Sequence, residues 1–223
     1  MDAFSEQWED EWRQRDSYPE WPWSDLVSTV YRHTDIESGD KVLELGCGAG
    51  ANAPFFLDLG VEYYAIEGAE SAVETVHDRF PEVEDSVVVG DFTEEIPFDE
   101  SFDCVVDRGA LTANSATAIE SGLTLAHDAL CQDGVLLTID MFSTDHSEYD
   151  QQNGKRVDEF TRDEFNDGPF DGLGEIHFAS EEHLRELYEQ EYEIELLEHK
   201  VKTQVYPETQ KRHAVWDVVA RKR

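Results

Sequence analysis

Five short apolar runs set between segments of helical period constrain this chain more than any other feature. They are KVLEL, EYYAIEG, SVVVGD, FDCVVD and DGVLLTIDMF, starting at residues 41, 62, 86, 102 and 133. Between the first two, ANAPFFLDLG reads as a short helix ending at Gly60. After the second, AESAVETVHDRF puts Ala72, Val73, Val76 and Phe80 on one helical stripe. Residues 115–130, SATAIESGLTLAHDAL, form another helix. Strands that are apolar throughout, and not alternating, are buried on both faces, and intervening helices supply the cover. The expected core is a parallel sheet between helices, an α/β fold.

The rest of the chain divides around that core. Residues 1–34 hold four of the five tryptophans, Trp8, Trp12, Trp21 and Trp23. Trp8 and Trp12 are four apart and share one helix face. Pro19 and Pro22 break the segment, and Ser24 is placed to cap a second helix, SDLVSTVYRH. This predicts an aromatic-rich helical cap over 1–34 and a main domain over 35–223. Within that domain residues 143–179 are polar, rich in Gly, Asp and Asn, and without period; such a stretch predicts a lid or a disordered insert. SEEHLRELYEQ follows as a helix capped by Ser180. The runs YEIELLEHKVKT and HAVWDVVARK, joined around Pro207, close the chain as an antiparallel hairpin.

Residues 42–50, VLELGCGAG, carry the strongest chemical signal. A glycine-rich loop that leaves a strand and opens a helix lets backbone approach a ligand closely. Glu44, two residues before the first glycine, is ill placed for a pyrophosphate but suits a ligand with an amino cation. Glu67, at the tip of the second strand, can accept from both hydroxyls of a ribose. Asp91 can accept from an adenine amino group while Phe92 packs near the ring; alternatively Asp91 caps the turn at Thr93.

ELGCGAG at 44–50, AIEG at 65–68, GDF at 90–92, FDCVVDRGAL at 102–111 and ALCQDGVLLTID at 129–140 together resemble the class I S-adenosylmethionine-dependent methyltransferases. The resemblance covers about residues 40–142, and the closing hairpin fits it. It implies a Rossmann-like, seven-stranded, mostly parallel sheet with helices on both faces and a C-terminal antiparallel hairpin. S-adenosyl-L-methionine is the implied cofactor. The resemblance places the loop of Gly46, Cys47, Gly48 and Gly50 at its methionine part, Glu67 and Gly68 at the ribose, and Asp91 and Phe92 at the adenine. Asp107 would lie near the reacting methyl.

A sulfonium methyl is already activated, so positioning and exclusion of water carry most of the catalysis. A base is needed only for a protic nucleophile. Asp107, Arg108, His146 and His177 are the catalytic candidates: Arg108 to hold an anionic acceptor in two-point contact or to pair with one of the many acids, the histidines as bases titrating near neutrality. The DRGA stretch stands where nucleic-acid base methyltransferases often carry N-P-P-[YF], and a similar D-R pattern occurs in small-molecule types. The expected acceptor is a small molecule or glycan, a sugar acid included. An NAD-dependent oxidoreductase and a non-catalytic S-adenosylmethionine-binding subunit remain as alternatives.

Composition narrows the partners. Fifty-two Asp and Glu face 17 Lys and Arg, a net charge of −35 spread along the whole chain. No basic stripe exists to neutralise phosphates, which argues against nucleic acid. At molar salt the screening length falls to about 3 Å, so the charge predicts a halophilic, cytoplasmic setting. Cys47, Cys104 and Cys131 lack C-x-x-C spacing and read as reduced thiols. No apolar run is long enough to span a membrane, and no ligand cluster predicts a metal. Oligomeric state is left open.

Overall fold

The computed structural model describes residues 6–14, 17–150, 153–207 and 211–223. Its centre is a seven-stranded sheet. The first five strands are β1 (Lys41–Leu45), β2 (Glu62–Glu67), β3 (Val87–Val89), β4 (Phe102–Arg108) and β5 (Leu130–Phe142). The small strands β6 (Lys155–Arg156), β7 (Thr161–Asp163) and β8 (Ile176–His177) form a separate sheet, and β9 (Tyr192–Thr203) and β10 (Arg212–Lys222) complete the large one. The order is β3-β2-β1-β4-β5-β10-β9, and β10 runs antiparallel to both its neighbours. β1 pairs in parallel with β2, Lys41 opposite Glu62, and with β4, Val42 opposite Cys104. The chain thus leaves β1 first to one side and later to the other, which opens a crevice at the carboxyl ends of the strands.

Both faces are covered, as the apolar runs require. Leu43, Leu45, Val105 and Leu136 pack on one face with Ile119 and Leu123 of α5 (Ala116–Ala129) and Leu184 of α7 (Glu181–Tyr188). Their neighbours in sequence, Val42, Val106 and Leu137, point the other way. There they meet Leu26 and Val30 of α2 (Ser24–His33), Phe56 of α3 (Ala53–Leu59) and Val73 and Val76 of α4 (Glu70–Arg79). At the amino end, α1 (Glu6–Gln14) packs beside α4, with the Glu9 carboxylate accepting from the Ser71 N–H and hydroxyl, each at 3.2 Å. The Ser180 side chain caps α7 by accepting from the His183 N–H.

Two expectations are corrected. Ser24 does not cap α2: it is the first helical residue, Trp23 is the cap, and the Trp23 N–H donates to the Asn52 side chain at 3.1 Å. Nor are residues 143–179 a disordered insert: the described residues among them fold as a small subdomain. After α6 (Ser147–Asp150) the strands β6, β7 and β8 form an antiparallel three-stranded sheet. Phe165, Phe170, Ile176 and Phe178 make its core, joined by Phe142, Tyr149 and Leu173. Strands of two or three residues are too short to show a period, so the scattered aromatics were its only trace.

Candidate functional site

The crevice is a cavity of about 290 Å³. Its floor is built from the strand ends in turn. β1 ends at Leu45, and Gly46 turns the chain with φ +66° while its N–H donates to the Ile66 carbonyl at 2.8 Å. A Cβ on Gly46 would run into the Cβ of Ala110. Gly48, at φ +53°, has the Trp12 ring 2.6 Å from where its Cβ would stand. Glycine is required at both for space and for backbone conformation. From β2 come Glu67 and Gly68, from β3 Gly90, Asp91 and Phe92, and from β4 Arg108, Gly109 and Ala110. Trp8, Trp12, Pro19 and Trp23 supply the remaining wall, and Asn52 and Asn114 lie between. Trp21, by contrast, is largely exposed.

Three carboxylates face this space in different states. Glu44 is 2% exposed and accepts from the Tyr63 hydroxyl at 2.6 Å and the Asn52 amide at 2.7 Å. Burial pushes its pKa up to about 7 against those two hydrogen bonds. Glu67 accepts from the Gly48 N–H at 2.7 Å and the Ala69 N–H at 2.9 Å, and burial raises it as well. Each Glu67 oxygen keeps a second lone pair. Asp91 takes the Thr93 N–H at 2.8 Å and hydroxyl at 2.6 Å, so the turn-capping alternative is realised here. Cys47 is buried, with its thiol raised by desolvation; it is a wall residue and no nucleophile.

Several candidates stand elsewhere. Gly50 does not line the cavity; its α-carbon faces Val76 and Phe80 and lets α4 approach. Asp107 is fully buried and also absent from the lining. Strand alternation turns it to the face opposite Arg108, where Oδ1 accepts from the Ala110 and Leu111 N–H groups at 2.8 and 2.9 Å. Through these bonds it shapes the loop after β4. Arg108 does reach the wall, but Nε and Nη2 donate to Asp25 and Nη2 also to Asp140 at 2.7 Å. Its guanidinium lies 4.0 Å from the centre of the Trp23 ring. A two-point contact from an anionic acceptor to Nε and Nη2 would compete with those carboxylates.

His146 and His177 are both buried and line no part of the cavity. His146 packs among Phe142, Phe170 and Phe178, and burial lowers it to about 4. His177 meets the Thr161 hydroxyl at 2.9 Å and is lowered to about 3 for the same reason. Neither serves as a base at the site. Asn52 and Asn114 are polar lining residues that sequence reasoning missed. The only signal for Asn52 was its place in the first turn after the glycine loop.

The donor set fits a nucleoside carrying an amino acid: a close-approach glycine loop, a carboxylate at the tip of β2 and an acid–aromatic pair at the end of β3. A family model described as a methyltransferase domain matches residues 42–134. The chain carries a methyltransferase domain on a Rossmann-like sheet. The matched stretch runs from β1 into β5 and contains every strand end that floors the cavity, which favours the methyltransferase over the nicotinamide alternative. The methyltransferase takes S-adenosylmethionine as its cofactor.

Solved structures share its fold. One, from work on conversion of a disulfide bond into a thioacetal group during echinomycin biosynthesis, is 22% identical, with TM-score 0.68 over 98% of this chain and 93% of that one. A S-adenosylmethionine-dependent methyltransferase from Methanosarcina mazei is 18% identical, with TM-score 0.68 over 90% and 98%. The N-methyltransferase NodS from Bradyrhizobium japonicum, solved with S-adenosylhomocysteine, is 14% identical, with TM-score 0.60 over 89% and 84%. No curated protein matches the sequence.

Proposed function

We propose that this methyltransferase acts on a small-molecule or glycan-type acceptor and holds its cofactor in the cavity between the glycine loop and the tryptophan wall. The observation that carries this reading is the lining itself: the functional groups stand in the order amino-acid end, ribose, adenine along the ends of β1, β2 and β3. Glu44 receives the amino cation, Glu67 the ribose hydroxyls, and Asp91 with Phe92 the adenine. Bound there, S-adenosylmethionine supplies a methyl group on a sulfonium sulfur. The chain's own contribution is to place and dry the acceptor. Trp23, Arg108, Gly109, Ala110 and Asn114 form the adjoining wall.

A cavity of about 290 Å³ is at the lower end of ligand pockets, a size that suits the cofactor itself. No histidine lines it among the described residues, so positioning and exclusion of water carry the rate. Because Arg108 is already paired, a sugar acid is less well suited than a neutral hydroxyl-bearing acceptor. Release of S-adenosylhomocysteine with a panel of sugars and small alcohols, amines and thiols tests the reading. Turnover confined to oligonucleotides or folded proteins would overturn it.

A further inference from the structure

The acidic chain has one basic exception along its closing hairpin. Residues 199–213, HKVKTQVYPETQKRH, hold four of the 17 Lys and Arg, namely Lys200, Lys202, Lys211 and Arg212, but only one of the 52 acids. The register of the two arms gathers them: Lys202 stands opposite His213, and Thr203 opposite Arg212. Side chains opposite one another on paired strands sit about 5 Å apart. Exposed cations elsewhere lie beside acids, as Arg185 does with Glu181 and Glu189, and Arg221 with Glu195.

The hairpin faces the small subdomain across a groove of about 510 Å³. Lys202, Lys211, Arg212 and His213 line the hairpin side, and Ser147 and Gly168 lie on the other. The Ser147 hydroxyl donates to the Arg212 carbonyl at 3.2 Å, which ties the two sides together. Glu148 is the acid among the described lining residues; it is 3% exposed, with its carboxylate against Gly168. The exposed charge of the groove is therefore positive. Burial lowers His213, Asp140 opposes that, and Lys202, Lys200 and Arg108 lower it further, so three cations act on one ring. No described residue lines both this groove and the cofactor cavity.

We propose that the groove is a second ligand site, which takes a phosphate or carboxylate group of a small molecule on Lys202, Lys211 and Arg212. Lysine and arginine give such a group charge-assisted hydrogen bonds, the strong kind. On a chain of net charge −35 most of the surface repels an anion, and this groove is where one is received.

The test is NMR of the histidine ring C–H resonances of the full chain in molar KCl, titrated separately with pyrophosphate, malonate and glucose. His213 and His146 both line the groove and report on it. Molar KCl screens loose surface attraction, so only a built site binds there. Saturable shifts with pyrophosphate or malonate, and none with glucose, are expected. The tighter of the two anions tells whether the group is phosphoryl or carboxylate. Lys202→Gln should weaken that anion about tenfold, and Lys202→Arg should keep it within about threefold of wild type. S-adenosylhomocysteine affinity should stay within about twofold in both variants, since Lys202 is outside the cofactor cavity. Shifts that grow without saturating, or a Lys202→Gln form that binds like wild type, would overturn the site. A single-stranded oligonucleotide binding more than about tenfold tighter than pyrophosphate would overturn it as well, and assign the groove to nucleic acid.

Discussion

Glu44 shows how much a single position can reveal. It lies on the central strand with neighbours β2 and β4 on either side, nearly sealed, yet it borders the cavity. Its carboxyl rises from 4.5 to about 7 because burial disfavours the charge. A raised acid binds its proton more tightly in the folded than in the unfolded chain. Its stabilising contribution is thus complete below pH 4.5 and is lost as pH rises to about 7. Glu44→Gln has no such loss. The difference in unfolding free energy between the variant and wild type should shift in the variant's favour by up to about 3 kcal/mol across that window; a pH-independent difference would contradict it. Denaturant melts at several pH values check this. The place of Glu44 and Glu67 on the cavity wall was legible because a carboxylate at a strand tip beside a glycine loop has few other uses. Asp107 was harder to place: sequence puts it at the end of β4, but only the face it points to decides whether it lines the cavity. Asn114 gave no signal, since its place on the wall depends on how the turn after β4 folds back.

At the scale of elements, the subdomain over 143–179 has its own core, and none of its described residues lines the cavity. Phe178 is fully buried there against Phe142, Tyr149 and Phe170. Phe178→Ala should cost about 3–5 kcal/mol and lower the melting temperature by roughly 10 °C. S-adenosylhomocysteine affinity should stay within about twofold of wild type, because the subdomain is separate from the strand ends that floor the site. Calorimetry and thermal melts on the same sample check both halves; a large loss of affinity would mean the subdomain shapes the site after all. The large sheet was legible throughout, because five apolar runs at regular spacing allow little but a parallel sheet. The closing hairpin was legible from two long runs around Pro207. The small sheet was not, since β6 and β8 have two residues each and hold register through tertiary contacts alone. Trp8 and Trp12 sharing a helix face was readable from their spacing, but only the packed structure shows that face turned to the glycine loop.

Over the whole molecule, charge and cavity ask for different conditions. A net −35 on a chain of 223 residues repels itself at low ionic strength. Molar KCl shortens the screening length to about 3 Å and removes most of that repulsion. Melting temperature should therefore climb steeply from low to molar KCl, and a flat curve would mean the acids serve another purpose. Glu44 and Glu67 on the cavity wall are buried and screened far less by salt, so binding is best measured where the fold is most stable. Calorimetric titration with S-adenosylhomocysteine in molar KCl, on wild type and Glu67→Ala, asks whether the cavity is the cofactor site. Micromolar wild-type binding, about −8 kcal/mol, that is lost in a folded Glu67→Ala variant is the predicted result. Equal binding by both forms, or none by a folded wild type, would contradict it.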